Sequence, residues 1–214
     1  MKDFTFDGKM TGSNFDNHVK EQLPFYEMLT NATSMIIRNY LPKNGVMYDI
    51  GASTGNITKS IADIAESRGA YVCSIEQSGD MAQTWDGYGE IFISEAQSFN
   101  YKQFDVAVCF LVLMFLSVED RKELINTLRS KMKAGGVIII VDKTPVAGGY
   151  FGTIMRRLTF DWKLKNGATP DQIITKELSL AGVQRPMLKS EISDAKEFFR
   201  FGEFIGWVIE NEVS

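Results

Sequence analysis

The chain has little of what metal and redox sites are built from. Its 214 residues include one histidine, His18, and two cysteines, Cys73 and Cys109. A tetrahedral zinc site needs four ligands at short spacings. These three are scattered, so no metal is expected. Both cysteines sit in apolar, strand-like runs and read as buried thiols of a reducing compartment, with the cytoplasm the expected location. No apolar run reaches the roughly 18 residues that span a bilayer. The opening "MKDFTFDGKMTGSNFDN" has no apolar core of a secretory signal, and no membrane partner is expected. There is no repeat, low-complexity tract or Pro/Ser linker. The expectation is one domain over residues 1–214, long enough to bury a substantial core.

Positive charge is also scarce overall. The net charge of −4 counts against broad, non-specific nucleic-acid binding. Its distribution is uneven. From Lys143 to Lys189 there are eight basic residues and three acids, a segment of +5 in a chain whose remainder is −9. Such a segment is either a solvated helical face or a patch that attracts an anionic substrate.

Apolar periodicity gives the order of elements. Asn14 to Tyr40 has helical spacing, with Pro24 as a break, and residues 1–40 read as an N-terminal helical cap. "VMYDI", "AYVCSIE", "EIFISEA" and a run within "FDVAVCFLVLMFL" read as strands, and "VIIIVDK" as a fifth. Between them, Thr54 to Ser67, "SGDMAQTW" and "VEDRKELINTLRSKM" read as helices, the last beginning near Ser117 and stopping at "AGG". Strands without polar alternation are covered on both faces, as in a parallel sheet. The pattern is α/β, a doubly wound, Rossmann-like, mostly parallel sheet with helices on both faces. After Pro145, residues 148–165 and 170–181 read as helices. They form an insertion (144–189) on the substrate side, and "KEFFRFGEFIGWVIEN" reads as an antiparallel edge pair.

Glycines are plentiful where the first strand ends. "YDIGASTGNIT" leaves a strand through Gly51, Ala52, Ser53 and Gly55, small residues that let a ligand approach the backbone. Glu76 ends the second strand, 25 residues after Gly51, where an acid in this fold accepts hydrogen bonds from ribose hydroxyls. Glu95 ends the third, where a carboxylate suits an adenine amino group. A G-x-G-x-x-G dinucleotide loop is absent, and so is a Gly-Lys-Ser/Thr phosphate loop. Asp49 precedes the turn and disfavours a phosphate, which points to a cationic nucleoside cofactor.

At this point "YDIGASTG", Glu76, "SEA", "FDVAVCFLVLMFLS" and "KAGGVIIIVDK" together resemble the class I S-adenosylmethionine-dependent methyltransferases. The resemblance runs from about Phe15 to Glu210. It implies S-adenosyl-L-methionine as cofactor, with Gly51 beneath it, Glu76 on the ribose, and Glu95 and Ala96 flanking the adenine. Asp49, Ala52, Ser53, Gly55 and Gln77 complete the implied loops. Ser53, "LMFLSVEDRKELINTLRSKMKAGGVIIIVDK", "FDWKLKNGATPDQIITKE" and "FGEFIGWVIE" are similar to the carboxy-S-adenosylmethionine synthases. Tyr26 in "LPFYEML" matches a tyrosine of that group that touches the cofactor. Two positions depart from it. Phe110, also expected at the cofactor, replaces an asparagine at the end of the fourth strand, and Glu177 stands where an arginine would clamp the added carboxylate.

The expected activity is methyl transfer to a small molecule or an RNA base of anionic character, tRNA modification included. The alternatives are a synthase that alters the cofactor and an inactive, cofactor-binding regulatory subunit. No catalytic residue stands out. Tyr26, Tyr150 and Asp161 are candidates to face the acceptor, and Trp162 with Arg156 and Arg157 to wall its pocket. The aromatic-rich insertion also suits a homodimer interface.

Overall fold

The computed structural model describes residues 19–20, 23, 25–146 and 148–212. The expectations for His18 and Pro24 lie outside them. Helix α1 (Tyr26–Tyr40) leads into strand β1 (Val46–Ile50), helices α2 (Asn56–Ser60) and α3 (Ala62–Ser67), and β2 (Tyr71–Glu76). Next come α4 (Gly79–Gln83), β3 (Glu90–Ile93), β4 (Phe104–Phe110), α5 (Val118–Lys131) and β5 (Met132–Lys143). The insertion holds α6 (Gly149–Lys165) and α7 (Pro170–Ser179), and β6 (Lys196–Phe201) and β7 (Phe204–Glu210) close the chain.

These strands form one seven-stranded sheet in the order β3-β2-β1-β4-β5-β7-β6. The pairs from β3 to β5 are parallel, and β7 runs antiparallel to both neighbours. The chain winds outward from β1 through β2 to β3, then returns to β4 on the other side of β1. The switch point between β1 and β4 opens a crevice at the carboxyl ends of the strands.

Period two explains how strands with almost no polar residues serve two cores. Tyr48, Ile50, Cys73, Ile75, Ala107, Cys109, Ile138 and Ile140 meet Leu124, Ile125 and Leu128 of α5 on one face. Met47, Val72, Val106, Val108, Val137 and Ile139 meet Leu29 and Ile37 of α1, Ile57 of α2, Ala65 of α3 and Ile61 between those two helices on the other. Both cysteines are buried free thiols.

Three local expectations are corrected. The helix read over Thr54 to Ser67 breaks at Ile61, whose backbone leaves the helical region (φ −120°, ψ 9°). The Ser60 carbonyl there accepts from Ser34 Oγ (3.2 Å) and from the Arg38 guanidinium (3.0 Å), both on α1. The glycines of "AGG" do not end α5. The helix stops at Lys131, and Gly135 (φ +75°) lies inside β5, where the pairing with β4 is irregular. At Gly136 a Cβ would meet the Asp105 carbonyl oxygen at 2.9 Å. Strand β3 ends at Ile93, short of Glu95.

A buried ion pair ties the segment after α7 to the sheet domain. Arg121 of α5, 3% exposed at its side chain, donates from Nε and Nη2 to the two oxygens of Glu191, at 2.7 Å each, and from Nη1 to the Arg185 carbonyl at 2.6 Å. Removing one partner of such a pair strands the other charge. Arg121→Ala is therefore expected to lower unfolding free energy by about 3–5 kcal/mol in urea titrations. Lys122→Ala, on the exposed side of the same helix, should change it by less than about 0.5 kcal/mol.

Candidate functional site

The crevice holds a cleft of about 130 Å³. Seven of the eleven residues expected at a cofactor site line it: Tyr26, Gly51, Ser53, Glu76, Gln77, Ala96 and Phe110. Glu76 is the polar centre. One carboxylate oxygen accepts the Ser53 N–H at 2.9 Å, and the other accepts the Ser78 N–H at 2.8 Å. The end of β2 thus holds the loop after β1 and the loop before α4 together. A carboxylate oxygen accepts two hydrogen bonds, so each still has room for one more.

The loop after β1 is bent by left-handed residues. Gly51 (φ +72°), Ser53 (φ +51°) and Gly55 (φ +89°) all fall there. A serine in that region costs about 1–2 kcal/mol, a strain typical of functional turns. Among the described non-glycine residues with positive φ, two of the three line the cleft, Ser53 and Leu111 (φ +58°). Leu111 turns the chain at the end of β4 and donates its N–H to the Val141 carbonyl at 2.7 Å. The next residue, Val112, then lies against Gly51. A Cβ on Gly51 would stand 2.5 Å from Val112 Cγ2.

Val112, Phe115 and Leu116 complete an apolar wall, and buried Asp142 at the end of β5 holds it. Its carboxylate accepts the N–H of Met114 (3.1 Å) and of Lys143 (2.7 Å). On the far wall, Tyr26 of α1 meets the Phe110 ring edge-on, with centroids 5.7 Å apart.

Four expected residues do not line the cleft. Asp49 lies within β1, fully buried, and its Oδ2 has no hydrogen-bond partner among the described residues. Ala52 is buried, and its N–H donates to the Ile75 carbonyl. Gly55 begins α2 and packs on Gly87 and Trp85. Glu95 points to solvent and accepts from Gln97 and Ser98 in the turn that follows. Because β3 ends early, its neighbours Ser94 and Ala96 line the cleft in its place. Sequence reading overlooked Met81, Ser94 and the seal that Val112 makes on Gly51. It also passed over Asp142, although an acid closing an otherwise apolar strand was a visible signal.

The acceptor-side candidates separate. Tyr150 is 73% exposed, and Asp161 pairs with Lys165 at 2.7 Å. Trp162 packs on Phe201, Arg157 is exposed, and Arg156 lines a different cavity. Only Tyr26 among them reaches the cleft. Among the described residues, no helix is long and apolar enough to cross a membrane.

A cleft at the β1–β4 switch point, bounded by a glycine turn and a strand-end carboxylate, is where doubly wound folds bind nucleoside-containing ligands. Residues 48–140 match the methyltransferase domain family, and the chain is similar to S-adenosylmethionine-dependent methyltransferases. Its relatives in sequence include the carboxy-S-adenosyl-L-methionine synthase of Staphylococcus epidermidis, 28% identical over 217 residues covering 95% of each chain. The synthase of Shewanella halifaxensis is 24% identical over 216 residues, covering 97% of this chain and 88% of that one. In fold, the chain is similar to an S-adenosylmethionine-dependent methyltransferase from Clostridium acetobutylicum (TM-score 0.58, 11% identity, 94% and 99% of the two chains covered). It is likewise similar to the plantazolicin methyltransferase BpumL in complex with SAH (TM-score 0.58, 16% identity, 94% and 88% covered).

Two predictions follow from this geometry. Gly51→Ala forces a left-handed alanine into Val112 and should destabilise the protein by about 2–5 kcal/mol. Adding Val112→Ala should recover the packing part only, as read from denaturant midpoints of both variants.

The second concerns pH. Burial first, and then the Glu76 charge, push Asp49 up to about 7. Burial pushes Asp142 up to about 7 against the pull of its backbone N–H donors. Both folded values exceed the free carboxyl value, so between about pH 4 and pH 7 the fold retains protons that the unfolded chain releases. Stability from these groups is fully present below that window. It falls as pH rises through it, by about 1.4 kcal/mol per pH unit for each group. Asp49→Asn should remove roughly half of this slope in urea midpoints measured across the window.

Proposed function

We propose that this chain binds S-adenosyl-L-methionine in the cleft and transfers its methyl group to a small acceptor of anionic character. The observation that carries this reading is Glu76. Its two oxygens are oriented by two loop N–H groups, each with a lone pair remaining, an arrangement suited to the adjacent hydroxyls of a ribose. Ser53 Oγ, buried at the cleft and without a partner among the described residues, is polar capacity that an apolar wall would not retain. The rings of Tyr26 and Phe110 suit a sulfonium, a soft cation that aromatic faces attract.

When bound, the cofactor supplies an electrophilic methyl whose carbon–sulfur electron pair departs to the sulfur as the acceptor's lone pair attacks. The chain's part is position: near-attack placement of two reactants contributes about 7–11 kcal/mol. The α6–α7 insertion carries the charge excess but lines no part of the cleft, so its contribution is to raise the local concentration of an anionic acceptor. The full-length likeness to carboxy-S-adenosylmethionine synthases supports a second reading, in which the cofactor itself is altered. Incubation with prephenate and mass spectrometry separates the two, because a carboxylated product appears only in the second.

Calorimetry is expected to show S-adenosylmethionine binding that weakens at least about tenfold in Glu76→Gln. Adenosylhomocysteine should form with a carboxylate- or phosphate-bearing acceptor. Absence of heat with this nucleoside, alongside binding of a nicotinamide dinucleotide, would overturn the reading. Turnover with tRNA but with no small acceptor would move the substrate class to RNA.

A further inference from the structure

Helix α6 turns an apolar face to solvent. Tyr150 is 73% exposed, Phe151 62%, Ile154 41%, Phe160 40% and Leu164 45%. Together these five leave on the order of 600 Å² of surface in water. That is the upper end of the largest apolar patch on an ordinary monomer. The other side of the helix is already engaged, with Gly152 and Lys163 buried and Trp162 packed on Phe201.

The exposed residues follow a pattern. Tyr150, Ile154, Arg157, Asp161 and Leu164 recur at alternating steps of four and three, the spacing that keeps one stripe of a helix against a second helix. All five are exposed. The stripe is apolar at its ends and charged in the middle, with one cation and one anion. Without net charge it has no field to select an anionic lipid surface or a nucleic acid. It is instead its own complement. A second copy of α6 laid antiparallel, with a two-fold axis at the level of Thr159, sets Ile154 against Leu164 and Arg157 against Asp161, each pair formed twice. Moving the axis half a heptad toward the N-terminus sets Ile154 against Arg157 and Tyr150 against Asp161. A parallel pairing sets each charge against itself. In the single chain Asp161 is held only by an exposed ion pair with Lys165, which is worth little in solvent.

We propose that this chain forms a two-fold dimer in which α6 packs antiparallel on its own copy along the stripe from Tyr150 to Leu164. Phe151 and Phe160 flank the stripe on either side and widen the apolar contact. With the exposed Thr153, Arg157 and Asp161 included, the face offers about 800 Å² per partner, the size of a standard stable interface. None of the stripe residues lines the cleft, so the dimer does not rest on the cofactor reading.

The test is sedimentation equilibrium of the full chain. A dimer with a micromolar or tighter Kd is expected. Ile154→Lys should weaken it at least about tenfold, with the circular dichroism spectrum unchanged because the side chain is exposed in the single chain. Arg157→Asp and Asp161→Arg each make the middle of the stripe one sign, and each should weaken self-association by a similar factor. An equimolar mixture of these two variants should associate about as tightly as the natural chain, because each supplies the charge that the other lacks. Rescue of this kind cannot come from a damaged fold or from ion pairing within one helix. A chain that sediments as a monomer overturns the proposal. So does a dimer that Ile154→Lys leaves unchanged, and so does a mixture of the two charge-reversed variants that fails to associate.

Discussion

The site depends on one carboxylate used as a clasp. Glu76 ends a central strand and accepts backbone N–H groups from two loops that have no other strand between them. Without it, the left-handed turn at Ser53 would carry strain and an unsatisfied N–H together. The clasp also explains why an acid is tolerated at a buried position. Its charge is met by two oriented dipoles, which act as partial positive charges. Because those dipoles belong to loops, ligand hydroxyls on Glu76 would be felt at once by the turn after β1 and by the start of α4.

The opposite wall is held by a second buried acid. Asp142 accepts backbone N–H groups at the turn that follows β4, and Leu111 bonds to β5 just before it. The β4 loop is thereby folded back until Val112 closes on Gly51. Glycine at 51 consequently satisfies two demands, a left-handed backbone and the absence of a Cβ. The cleft's two walls are each anchored at the carboxyl end of a strand, so their separation is set by the sheet rather than by loop composition.

Most of the fold was legible because buried parallel strands leave runs such as "VIIIV" and "VAVCF" that helices do not imitate. The topology around Gly51 and Glu76 was legible for the same reason, since both sit at strand ends whose positions the apolar runs mark. What escaped reading was tertiary in origin. Nothing local to Ile61 ends a helix. The break comes from α1, whose Ser34 and Arg38 occupy the Ser60 carbonyl. Glu95 was assigned by counting along a strand that stops two residues sooner. The glycines at 135 and 136 matched a helix terminus in composition but serve a distortion between β4 and β5. Val112 carried no signal, because a valine in an apolar run does not announce that it faces a glycine.

The aromatic pair at the cleft bears on which reaction the site favours. Phe110 stands where the resembled synthases carry asparagine, and Tyr26 meets its ring edge-on. An asparagine offers hydrogen bonds to a carboxylate on the cofactor, whereas a phenylalanine offers none, and burying an uncompensated carboxylate beside it is costly. Glu177, at the position of the synthases' clamping arginine, adds a negative charge and is engaged by Lys163. The same apolar surroundings act in the other direction on methyl transfer to an anion. Under the proposed reading, the Tyr26 and Phe110 rings would give a cationic cofactor and an anionic acceptor low-dielectric surroundings that favour their losing charge together.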